Sequence, residues 1–451
     1  MTLRPSLALA LFAAGCVSFE SRPISPATTA RDFDGRTLAD SGLRAFLASH
    51  GATAKRWDLD ELTLATLYFQ PDLEVARARH EAAAAAVGTA GERPNPTLSW
   101  SPAYNATSTG VTPWIMGFSL DVPIETGGKR GWRQAQARQK SEAARMRVAA
   151  EAWQVRSRVR AALVALESAR LLDAAVREQE SVQAETVRLL DLERGAGAIS
   201  PLEVTRARVA LDNARLSHAD AQAAMTDARH QLATAIGIPE HALAAVDVRF
   251  ARFERAPAVP TRAARRQAAQ NRPDLLAALA DYAASESALA LTVAKQYPDI
   301  HLSPGFTLDQ NENKWALPGL TFEMPLLNQH RGAIREAEAQ RKESAATFIA
   351  QQAKVIGEVD RAVASYLAAM TKLQLVNELR AKLERQTVSV KAQLDAGNVA
   401  KIELVTAQLE LTTNRLARID ALTKIQQALG RLEDAMQSPA QLPESAWAAK
   451  K

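Results

Sequence analysis

The 451-residue sequence holds one cysteine, so no disulfide can form within the chain. Aromatic residues are scarce, 5% against 47% hydrophobic residues in all, and alanine fills the difference. A large aromatic core is thereby excluded, and long helices packed closely on one another fit better. The seven histidines show no His-x-His or His-Glu-x-x-His spacing, and no phosphate-binding glycine loop or nucleophile motif occurs. No enzyme activity, cofactor or metal site is therefore expected. His80, His218 and His230 fall within helical patterns, where packing or surface positions suit them. A block of one charge is also missing. Lys and Arg exceed Asp and Glu by 55 to 50, but the bases alternate with acids along helical stretches. A nucleic-acid binder would gather them on one face or tail, so that class is set aside.

The position of the lone cysteine is informative. Residues 1–15 carry Arg4, an apolar run from Leu7 to Ala14 and then small residues, the pattern of a secretory signal too short to span a bilayer as a helix. The run Leu11-Phe12-Ala13-Ala14-Gly15-Cys16 resembles a bacterial lipobox, with Ala13 where leucine is usual. Lipidation at Cys16 is expected. Val17 follows, rather than the aspartate that retains lipoproteins in the inner membrane, which favours the outer membrane.

The chain repeats itself. Gln70-Pro71-Asp72-Leu73 returns as Arg272-Pro273-Asp274-Leu275, and Pro96, Pro123 and Arg133 return as Pro298, Pro325 and Arg335, each pair 202 positions apart. Further on, Gly197, Leu202, Glu203, Leu211 and Leu232 match Gly397, Ile402, Glu403, Leu411 and Leu432 at an offset of 200. The spacing predicts a mainly α protein with a small β part, built as two tandem structural repeats. The first, 71–239, has helices at about 71–91, 129–193 and 201–236 and strands at about 97–104 and 114–122. The second, 271–436, has helices at about 273–296, 331–395 and 402–436 and strands at about 300–308 and 315–324. Outside them lie 16–70, expected to run extended through the periplasm, an equatorial segment at 240–270 and a tail at 437–451. The stretch 129–193 contains no proline and would reach roughly 95 Å as a helix. Such a helix must bury a stripe against partners. Leu202, Val209 and Leu216 recur every seven residues, as do Ile402, Leu409 and Leu416, the seam of coiled-coil-like packing.

The strands alternate in polarity. Leu98 and Trp100, then Met116, Phe118 and Leu120, oppose Ser99, Ser101, Gly117, Ser119 and Asp121. In the second copy Leu302, Phe306, Leu308, Leu320 and Phe322 oppose His301, Ser303, Thr307, Gly319 and Thr321. Ten-residue alternation is the signature of a transmembrane β-strand with lipid on one side and water on the other. Trp100, Tyr104, Trp114 and Trp315 lie in or beside strand ends, where an interfacial girdle belongs. Four strands cannot close a barrel, and open edges are not tolerated in lipid. Copies of the chain must therefore assemble, and a homotrimer would supply a 12-stranded barrel wide enough to begin to leave a lumen.

The order of helices and strands resembles the TolC-like outer-membrane efflux channels over nearly the whole mature chain. So do the strand exits Val122-Pro123-Ile124-Glu125-Thr126-Gly127-Gly128-Lys129-Arg130 and Met324-Pro325-Leu326-Leu327-Asn328 and the turns that begin at Gly197 and Gly397. The resemblance implies the outer-membrane lipoprotein component of a tripartite efflux system: a trimer whose transmembrane β-barrel continues as an α-barrel into the periplasm. A periplasmic adaptor would contact the tips through Gly197, Ser200, Leu202, Glu203, Gly397, Asn398 and Ile402. Beyond it would stand an inner-membrane pump of the resistance-nodulation-division type. Glu403 matches one acidic position of the family's closed entrance, while Thr406 stands where a second acid is expected. An outer-membrane channel for type I protein secretion and a periplasmic adaptor or structural coiled-coil lipoprotein are the other readings.

Overall fold

The computed structural model describes residues 19–53, 56–107, 110, 112–244, 246–309, 312–437, 442 and 444–448. The expected signal segment and Cys16 lie outside the described residues.

The stretch expected to be extended is folded. Three helices, α1 (Pro26–Asp34), α2 (Ser41–Ser49) and α3 (Leu59–Phe69), occupy it. Asp40 caps α2, and Asp58 with Glu61 forms a capping box on α3. Scattered Pro, Gly and Thr obscured elements this short, yet α3 is almost wholly buried. Leu59, Leu62, Ala65, Leu67 and Phe69 enter the core, and Thr63 and Thr66 join them because each hydroxyl donates to a carbonyl of its own helix, at 2.6 and 2.7 Å.

The first repeat follows: α4 (Pro71–Gly91), β1 (Thr97–Tyr104), β2 (Trp114–Ile124), α5 (Lys129–Gly195) and α6 (Pro201–Ile236). After α7 (His241–Ala244) and α8 (Arg262–Asn271) comes the second: α9 (Pro273–Ala294), β3 (Ile300–Asp309), β4 (Glu312–Phe322), α10 (Arg331–Asp395) and α11 (Lys401–Met436), with a last turn, α12 (Glu444–Trp447). Proline opens α4, α6 and α9 where the missing N–H costs nothing. β4 starts three residues earlier than the polarity pattern suggests, because Lys314 reaches back to Asp309 at 2.8 Å and carries the hairpin into charged sequence.

α5 and α10 hold 67 and 65 residues, about 100 Å each. Around the middle of α5 sits a belt. Val159, Leu163 and Leu166 meet α3 together with Phe250 and Phe253 of the inter-repeat segment. That segment joins the N-terminal one through a parallel bridge between Trp57 and Val248, and Arg249 N–H donates to the Trp57 carbonyl at 3.1 Å. The C-terminal turn closes the belt: Trp447 is buried, and Arg77 Nε donates to its carbonyl at 3.0 Å.

Candidate functional site: channel wall and hairpin tips

The four strands form one antiparallel sheet in the order β1-β2-β3-β4. Its register keeps the polarity of every strand aligned. Leu98 faces Leu120, Trp100 faces Phe118, Met116 faces Leu308, Phe118 faces Phe306, and Leu302 faces Leu320. All ten residues expected to meet lipid therefore share one face with Tyr104, Trp114 and Trp315. The face is open at its outer strands, where Leu98, Trp100, Leu320 and Trp315 are 62–78% exposed, while Met116, Leu302, Phe306 and Leu308 between them are half-buried. A contiguous apolar patch of this kind marks an interaction surface, for a membrane or for another protein. The opposite face carries Ser99, Ser101, Ser119, Asp121, His301, Ser303 and Thr307. β4 takes one extra residue beside Ser303 and Gly305, a bulge that lets Pro318 enter the strand without breaking the register beyond it. β1 and β4 are the outer strands of the sheet, each paired on one side only.

At the far end of the long helices both hairpins turn in the same way. Gly197 and Gly397 take φ of 74° and 73°. Around the first, Ala198 N–H donates to the Glu193 carbonyl and Gly197 N–H to that of Arg194; around the second, Asn398 donates to Gln393 and Gly397 to Leu394. Each is a Schellman turn, which needs a left-handed residue and so favours glycine. Gly197, Ser200, Leu202, Glu203, Gly397, Asn398 and Glu403 are all exposed, and Ile402 is half-buried.

The two tips then differ. Ser200 caps α6, and Glu203 returns its carboxylate to the Ser200 N–H at 3.2 Å. In the second copy the cap is Ala400, which has no hydroxyl to offer. Glu403 consequently forms no side-chain hydrogen bond or ion pair among the described residues. Of two repeat-equivalent glutamates, only the gate candidate is free.

Sequence reasoning missed what joins the tips. Lys401 Nζ lies 2.7 Å from Glu185 on α5, about ten residues short of the end of that helix. Arg188 holds the same carboxylate at 2.7 Å. Hydrogen bonds from Arg188, then from Lys401, hold the Glu185 carboxyl down at about 2. The pair spans 216 positions, which no local pattern reveals. One signal was present: a lysine in the first turn opposes the helix dipole and calls for an acidic partner. Higher up, α5 and α11 run side by side, tied by Arg415 to Glu178, Ser168 to Thr423 and Arg156 to Glu433.

Long stripes remain uncovered. Leu202, Val209 and Leu216, the seven-residue seam of α6, are 55–66% exposed, and Ile349 and Ile356 on α10 also stand open. No described helix is long and apolar enough to cross a membrane. Helical arms with bare seams, joined to a sheet that is apolar on one side and polar on the other, are the parts of a channel wall.

The family model for outer membrane efflux proteins matches residues 65–238 and 264–437, and the chain belongs to that family. It is an outer-membrane efflux channel protein. The cobalt-zinc-cadmium resistance protein CzcC of Cupriavidus metallidurans is 25% identical over 318 residues, 68% of this chain and 74% of that protein. The outer-membrane channel OprN shares the fold with a TM-score of 0.70 and 20% identity over 91% of this chain and 98% of its own. CusC does so at 0.69 and 17%, over 84% and 92%. Family and fold are those of channels rather than enzymes, and they set aside the adaptor and stalk readings.

Proposed function

We propose that three copies of the chain close a 12-stranded barrel in the outer membrane, continued by an α-barrel into the periplasm, as the passive exit duct of a tripartite efflux pump. One observation carries this most: the sheet is apolar on one face in every strand, polar on the other, and paired on one side only at both outer strands. In lipid such a sheet must be completed by further copies. Cys16 adds a lipid anchor at the outer membrane. The adaptor meets the exposed Schellman turns at Gly197 and Gly397 with Ser200, Leu202, Glu203, Asn398 and Ile402. Beyond it stands an inner-membrane pump of the resistance-nodulation-division type, which supplies the energy. Glu403 lines the entrance, and the tie between Lys401 and Glu185 holds the second hairpin against the first while the duct is shut. The similarity to CzcC supports divalent transition-metal cations as the cargo.

The test is conductance in planar bilayers, with the mass of the detergent-solubilised species determined in parallel. Discrete channel events from a three-chain species are expected. A monomer or dimer without conductance would overturn the reading.

A further inference from the structure

On the polar face of the sheet one pair of side chains is built differently from the serines and threonines around it. His301, the second residue of β3, places Nδ1 3.0 and 3.1 Å from the two oxygens of Asp121 on β2. Ser303 donates its hydroxyl to the same carboxylate at 3.4 Å. A carboxylate on Nδ1 keeps a proton there, so Nε2 is the atom left to meet what passes. Nε2 has no hydrogen-bond partner among the described residues, and the His301 side chain is 40% exposed. The nearby Lys129 does not compete for Asp121, because it is held by Asp299 at 2.8 Å. The pair stands at the end of the sheet where the helices join it. Cargo arriving from the helical duct would meet it first on entering the barrel.

We infer that His301, oriented by Asp121, is a low-affinity contact for divalent first-row transition metals at the junction of the helical duct and the barrel, one in each subunit. The inference rests on the exit-duct reading and deepens it. An imidazole whose second nitrogen donates to a carboxylate is the arrangement that metal-binding histidines use, because the carboxylate fixes the tautomer and the orientation of the ring. Imidazole nitrogen selects zinc, cobalt, nickel and copper over magnesium and calcium, which prefer oxygen alone. Among the described residues no group of three or more His, Cys, Asp or Glu side chains is arranged to hold a metal ion. One protein donor, with water completing the shell, gives weak and rapidly exchanging contact. Conduction requires this, since an ion must bind well enough to enter and loosely enough to leave. A pair that merely ties β2 to β3 would hold the sheet without answering to metal.

The experiment is single-channel conductance of the full-length protein in planar bilayers, read first in potassium chloride and then with zinc or magnesium chloride added. Zinc is expected to reduce the wild-type current at concentrations where magnesium does not. His301→Gln should conduct as the wild type does in potassium chloride and lose the zinc effect. Asp121→Asn, which keeps the ligand but loosens its orientation, should raise the zinc midpoint about tenfold. A zinc response unchanged in His301→Gln, or equal responses to zinc and magnesium, would overturn the inference and leave the duct intact. If His301→Gln fails to insert, Asp121→Asn decides, an unchanged midpoint counting against the site. Absence of channels from the wild type before any metal is added would instead bring down the exit-duct reading.

Discussion

The long helices α5 and α10 hold the same place in the two repeats and differ by two residues in length, yet they are finished in different ways. α5 buries nineteen residues, among them Trp153, Val159, Leu163 and Val176, whereas α10 buries six, around Val359, Val363 and Tyr366. α5 packs on α3, α4, α6, α9, α11 and α12; α10 packs on α8, α9 and α11. The belt explains the contrast. α3, apolar, is pressed onto α5 and covered by α2 and α12. Its counterpart α8, 202 positions on, reads Arg-Ala-Ala-Arg-Arg-Gln-Ala-Ala-Gln-Asn. A duplicated unit has thus diverged so that one copy is completed by its own chain. The other copy leaves apolar residues such as Ile349 and Ile356 open, as the proposed ring of subunits needs.

Two substitutions separate the roles of the two helices. Leu163→Ala, at a site 1% exposed on α5, should cost the chain about 3 kcal/mol, since a buried leucine leaves a cavity. Denaturant titration of the detergent-solubilised protein reads it. Ile356→Asp on α10, at a site 53% exposed, should leave the helix content of the single chain unchanged and abolish the three-chain species in mass measurements. Equal damage to the fold from both would mean that α10 is not an assembly surface.

At the tips the two hairpins are joined by the tie from Lys401 to Glu185. Lys401→Ala removes the one ion pair between the second tip and the first hairpin seen among the described residues, and conductance at neutral pH should rise as the second hairpin swings free. The pH dependence has a definite sign. Glu185 has its carboxyl depressed to about 2 in the folded chain, against an ordinary value near 4.3. The tie is therefore fully present above the ordinary value and is lost as pH falls through about 2. Wild-type conductance should be flat from pH 7 to pH 5, and the Lys401→Ala variant should sit above it throughout. A wild-type channel that opens already at pH 5 would show that another group holds the tip.

Much of this architecture was legible in the sequence because both of its signals are periodic. The strict alternation of Trp114 to Val122 and the recurrence at 202 positions survive whatever the surroundings, so fold class and family could be read before any contact was known. The belt was not legible. α1 to α3 are nine to eleven residues long, too short for a helical period to emerge, and their apolar residues are balanced by Thr63 and Thr66, whose burial depends on hydrogen bonds inside the helix. The tip tie and the Asp121–His301 pair were hidden for another reason. Both are contacts between chain segments 180 or more positions apart, and only the register of the sheet or the packing of the hairpins brings them together.

The two repeats also differ where their last long helices end. Gly237, which ends α6 at φ 86°, corresponds to Gln437, which ends α11 at φ 42°. Glutamine is strained in the left-handed region, and its Oε1 is buried with no hydrogen-bond partner among the described residues. Gln437→Gly should stabilise the chain by about 1 kcal/mol in thermal denaturation. Gly237→Ala should do the reverse and more, because its Cβ would also come within 3.2 Å of the Phe69 carbonyl.

The smallest effect separates stability from gating. Ser200 and Glu203 cap each other, whereas Ala400 offers no side-chain cap and Glu403 has no side-chain partner among the described residues. Ser200→Ala should destabilise by about 1 kcal/mol, and Ala400→Ser should stabilise by a similar or smaller amount, since the introduced hydroxyl accepts from the Glu403 N–H. That hydroxyl also completes a capping box, in which the Glu403 carboxylate turns back onto its own helix. If Glu403 lines the entrance, Ala400→Ser must change cation selectivity of the closed channel in the same direction as Glu403→Gln, although it adds stability and removes no charge. Measured in bilayers, a stabilised channel with unaltered selectivity would mean that Glu403 is a first-turn residue favoured by the helix dipole and nothing more.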